Sequence, residues 1–177
     1  MRRMAVSLAG CMIVMACRTT PAPLSNEQSD ALATLLPQSI EIVEPFTRWA
    51  DRDDRPGIDG LVVYVQPRNA AGDPVQAAGR LLIELYAFRD GSADHKGARL
   101  EHWSLPLLNS NDQDDHWNRA TEMYEFRLAL SGASAVDVPG QRFVLAATYR
   151  SVLGDNRNDE CSLELPLARE LLTRGPS

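Results

Sequence analysis

From Ser39 onward, apolar and polar residues alternate in short runs. Tyr124, Phe126, Leu128 and Leu130 alternate with Glu125, Arg127 and Ala129, a period of two with one apolar face. Cys161, Leu163 and Leu165 alternate with Ser162 and Glu164 in the same way. Leu61, Val63 and Val65 line one face of a third run. Leu81, Ile83, Leu85 and Ala87 line a fourth, and Phe143, Leu145, Ala147 and Tyr149 a fifth. Ile40 and Ile42 suggest an opening strand, and Leu100 to Leu105 a weaker one. Turn residues separate the runs: Pro56-Gly57, Asp59-Gly60, Gly72-Asp73-Pro74, Asp90-Gly91, Pro139-Gly140 and Gly154-Asp155. Many short strands with regular turns predict an all-β, antiparallel β-sandwich over 39–177. About 130 residues, Ser39 to Leu167, suffice for one core. Ahead of it, Ser25 to Leu36 reads as a short helix with capping-box spacing between Ser25 and Gln28, ended by Pro37. The tail Leu167 to Arg174 adds one or two helical turns.

The N-terminus has a different pattern. Arg2 and Arg3 precede an uncharged, mostly apolar run from Met4 to Ala16. A spanning helix needs about 20 apolar residues. A shorter run with a basic start and a small residue before a Cys reads as a secretory leader over 1–16. Cys11 also follows a small-residue box, Leu8-Ala9-Gly10, but cleavage there leaves too short an apolar core. Val14-Met15-Ala16-Cys17 has the better spacing and resembles the lipobox of bacterial lipoproteins. The resemblance implies cleavage before Cys17 and acylation of its thiol and new amino group. Several chains on one residue overcome the marginal hold of a single acyl chain. Arg18 follows the anchor where Asp is the retention signal. In that family this leans towards the outer membrane, facing the periplasm. The Pro-rich stretch 18–23 is an extended tether within the linker 17–38.

Composition narrows the partners. Removing Arg2 and Arg3 with the leader takes 18 basic residues to 16 against 24 acidic ones, a net of −8. Such a surface repels phosphate backbones, so nucleic acid is not an expected partner. With Cys11 in the leader and Cys17 lipidated, Cys161 is left alone, so no intramolecular disulfide is expected. No Cys/His zinc spacing exists, and no cofactor is implied. Cys161 lies on the apolar face of its strand and reads as a small core residue.

One segment carries a fold resemblance. Gly60 to Gln66, then Asn69-Ala70-Ala71-Gly72-Asp73-Pro74-Val75, then Gly79 followed by Leu81 to Leu85, is similar to the opening of transthyretin-like and bacterial Ig-like domains. Asn69 stands where those domains usually carry Asp. Gly72 allows a tight turn, Pro74 starts an edge segment, and Ala77, Ala78 and Gly79 let chains approach closely. The Ile40-x-Ile42-x-x-Pro45 start together with this segment is also similar to bacterial lipoproteins of no assigned activity.

Catalytic motifs such as G-x-S-x-G, H-E-x-x-H and the P-loop do not occur. Two polar stretches remain as candidates. In Trp49 to Asp59, the carboxylates Asp51, Asp53 and Asp59 have spacing that could serve calcium. Arg55 and Pro56 break the EF-hand pattern, so a self-paired charged loop is the expectation. In Asn109 to Arg119, a long polar loop sets Trp117 among Asp112, Asp114, Asp115 and His116. A ring among acids and amides is how sugar sites are built, while a Trp folded down over the core is the plainer outcome. His95 and His102 read as surface or strand residues, Trp103 as packing, and Glu84 as paired with an Arg or facing the sheet's other side. The expected function is an envelope-anchored lipoprotein whose non-catalytic sandwich binds another envelope protein. The alternatives are a glycan- or calcium-binding module, or an unrecognised hydrolase.

Overall fold

A computed structural model describes residues 25–52, 58–131 and 138–166. The leader, Cys17, the tether, Asp53 and the Leu167–Arg174 tail lie outside them. The first element is helix α1 (Asn26–Leu35), inside the expected span. Among the described residues nine strands follow, in two packed antiparallel sheets. One holds β1 (Ser39–Ile42), β3 (Gly60–Arg68), β7 (Met123–Ala129) and β6 (Trp117–Asn118) in that order, with β2 (Arg48–Ala50) also on β3. The other runs β5 (Lys96–Leu107), β4 (Gly79–Phe88), β8 (Arg142–Ser151), β9 (Asn156–Glu164). The expected β-sandwich is the observed architecture.

The period-two faces meet between the sheets. Leu61, Val63, Val65, Tyr124 and Phe126 of one sheet pack on Leu81, Ile83, Leu85, Phe143, Leu145 and Tyr149 of the other. Cys161 lies in this core. Burial pushes its thiol up to about 12, with the negative charges of Glu44 and Asp159 adding to the effect. Gly79 sits where β4 and β8 approach closely. A Cβ there would lie 2.2 Å from the Arg150 carbonyl oxygen. At the adjoining turn Gly72 has φ +88°, and the Asn69 side chain accepts the amides of Ala71 and Asp73, both at 2.9 Å. That is the local work expected of this segment.

One reading is extended and two are corrected. The weak strand at Leu100 to Leu105 is a 12-residue strand, Lys96–Leu107, beside β4. Trp49 belongs to a strand, β2, inside the stretch read as a charged loop. The stretch Asn109 to Arg119 is not a loop: it forms helix α2 (Ser110–His116) and then β6.

The register sorts the connections into two ends. Gly79 pairs with both Leu107 and Ser151, and Ser39 pairs with Arg68. The β3–β4 turn, α2, the β8–β9 turn and the junction of α1 with β1 therefore share one end. The Asn69 side chain donates to the Thr34 carbonyl at 2.9 Å and the Gln38 amide to the Arg68 carbonyl at 2.7 Å, fixing the exit of α1 there.

Candidate functional site

The polar stretch 109–119 is built around a capped helix. The Asn109 side chain accepts the Asp112 amide at 3.1 Å, and the Asp112 carboxylate accepts the Leu108 amide at 2.9 Å. This reciprocal pair satisfies amides that a helix start leaves open. Gln113, one residue on, anchors the helix to both sheets. Its Nε2 donates to the carbonyls of Ala77 (2.8 Å) and Leu107 (3.1 Å), and its Oε1 accepts from the Tyr124 hydroxyl. That hydroxyl accepts the Ala77 amide at 2.8 Å, and burial pushes it up to about 12.

The helix end is thereby held over β7. The His116 ring lies 4.8 Å from Phe126, and the Trp117 indole meets Tyr124 edge-on at 4.9 Å. Trp117 is half-buried: it packs on the core with part of its ring outside. That outer part borders an open groove of about 650 Å³ with Asp115, His116, Asn118, Arg119, Glu125 and Arg127. Arg127 Nε donates to Glu125 Oε1 at 3.0 Å, and Arg119 reaches Asp114 at 3.4 Å. The groove thus offers one aromatic surface, two guanidiniums and two carboxylates.

No family model, curated protein or solved structure matches this chain.

The fold divides the candidate residues. Asp115, His116 and Trp117 come together in the groove. Asp112 instead lies in the first turn of α2 and supports its Asn109 cap, accepting Asn109 Nδ2 at 3.0 Å. Asp114 faces solvent beside Arg119. Glu125 and Arg127 were missed: the alternation of β7 put them on its polar side, but nothing local says that α2 folds back beside them.

Asp51 and Asp59 lie on either side of residues outside the described ones, Asp53 among them. Asp59 Oδ1 accepts the Arg52 amide at 2.6 Å, closing its loop. Among the described residues no group of three His, Cys, Asp or Glu side chains converges as metal ligands. His95 stacks on Phe88 at 4.8 Å, Trp103 packs against the core, and Glu84 pairs with Arg99 at 2.8 Å.

Proposed function

We propose that the chain is an envelope lipoprotein, held by lipid on Cys17, whose non-catalytic β-sandwich binds a segment of another envelope protein in the groove beside Trp117. One observation carries the reading: a half-buried Trp117, in β6 directly after a helix tied to both sheets, lines the groove together with Arg119 and Arg127. Trp and Arg are the side chains most enriched where protein interfaces concentrate their affinity, and a ring held by packing loses little freedom on binding. The lipobox at Cys17 and the tether supply the envelope address. Among the described residues no helix is long and apolar enough to cross a membrane.

The test uses the full-length protein in its own envelope, with a photo-crosslinking side chain at Arg119. The expected result is a recurrent protein adduct that is lost in Trp117→Ala. No adduct, or an adduct indifferent to Trp117→Ala, overturns the reading. A saccharide is the second reading, favoured by the Glu125–Arg127 pair near the ring, which offers a donor and an acceptor together. Thermal stabilisation by cell-wall fragments, lost in Trp117→Ala, would put it first.

A further inference from the structure

We infer that the end of the sandwich carrying α1 and the β8–β9 turn rests on the lipid bilayer, with Leu108, Val152, Leu153 and Leu35 entering the headgroup region. This rests on the reading of Cys17 as a lipid anchor. Six large apolar side chains stand out as exposed among the described residues, and four of them gather at this end: Leu35 (70%), Leu108 (54%), Val152 (59%) and Leu153 (60%). They belong to three connections far apart in sequence, which only the fold brings together. Leu107, Gly79 and Ser151 are neighbours across β5, β4 and β8. At the usual strand spacing, Leu108 and Val152 leave the sheet about 10 Å apart. The Val152 amide donates to the Ala78 carbonyl at 3.2 Å, which holds the β8–β9 turn in place.

The length of chain beyond this end names the occupant. Residues 18–24 separate Cys17 from Ser25. At the extended rise of a Pro-rich segment they reach about 22 Å, and the 10 residues of α1 add about 15 Å at most. The tether leaves from this end, so an acylated Cys17 holds it near the membrane at high effective concentration. Apolar tips too few to capture a bilayer from solution then suffice to orient a tethered domain. Asp73, Asp114 and Asp155 are exposed at the same end, beside Arg80, Arg119 and Arg150. The net charge of −8 without the leader favours a zwitterionic surface, and anionic lipid opposes the contact.

The experiment uses the full-length acylated protein in phosphatidylcholine vesicles with brominated acyl chains. Two variants each add one indole at an exposed tip: Leu153→Trp at this end and Val138→Trp, 63% exposed, at the other. Mass spectrometry of the same sample reads the acyl groups on Cys17. The expected result is acylated protein in which the emission added by Leu153→Trp is quenched and that added by Val138→Trp is not, with the quenching reduced by phosphatidylglycerol. Acylated protein showing quenching at neither position, or equally at both, overturns the inference and leaves the anchor standing. A Cys17 without acyl groups overturns the anchor reading and this inference with it.

Discussion

Tyr124 joins three separate pieces of chain through one oxygen. Its hydroxyl accepts the Ala77 amide and donates to Gln113, whose amide nitrogen returns to the Ala77 and Leu107 carbonyls. Tyr124→Phe keeps the ring on Phe126 and Trp117 but strips the buried Ala77 amide and Gln113 Oε1 of a partner. Leaving such a group unpaired costs about 1–3 kcal/mol. Urea denaturation should show a loss of that size with an unchanged slope. Gln113→Ala removes the same links from the helix side. It should also release Trp117, read as a red shift of its emission.

The two sheets are closed at their edges by a pair of tryptophans. Trp49 in β2 donates its indole N–H to the Glu164 carbonyl of β9 at 2.9 Å. Trp103 in β5 donates to the Ala129 carbonyl of β7, also at 2.9 Å. Each crosses from an edge strand of one sheet to the other sheet, on opposite sides of the sandwich. On the β1 side, the Asp159 carboxylate accepts the Ile42 amide at 2.6 Å, occupying an edge donor that would otherwise be open to another strand. Trp103→Phe retains most of the apolar contact and loses the hydrogen bond. The expected cost is about 1 kcal/mol. Hydrogen exchange should quicken in β5 and β7 ahead of β4 and β8.

At the scale of the whole molecule, stability should fall in alkali. Burial raises Cys161 from 9.0 to about 12 and Tyr124 from 10.0 to about 12. In each case the folded protein holds the proton more tightly than the unfolded chain. The unfolded chain therefore loses protons first as pH rises, and the unfolding free energy drops. The decline should begin above about pH 9 with a limiting slope of about 1.4 kcal/mol per pH unit, steepening once the unfolded tyrosine ionises above about pH 10. Denaturant melts from pH 7 to 11 read this directly. Cys161→Ala should remove the portion between about pH 9 and 10. A rise in stability over that range would refute the burial of both groups.

The sequence by itself determined the class of fold and the core faces, because a strand with one wet side must alternate. The alternation in β7 and β9 is visible without any structure. It also carried the turn chemistry of Asn69 to Gly79, since Gly72 and the small residues answer to local backbone demands. The proposal of a lipid on Cys17 likewise rests on local sequence alone. Tertiary structure decided the rest. β2 is three residues among charges and exists through pairing with β3. α2 has no apolar stripe to announce it. Its hold on the domain is the amide of Gln113, and its one local signal is the Asn109–Asp112 spacing. Glu125 and Arg127 meet Trp117 only because α2 folds back beside β7. The apolar tips of Leu35, Leu108, Val152 and Leu153 become one surface because strand register, and not chain order, sets which turns are neighbours.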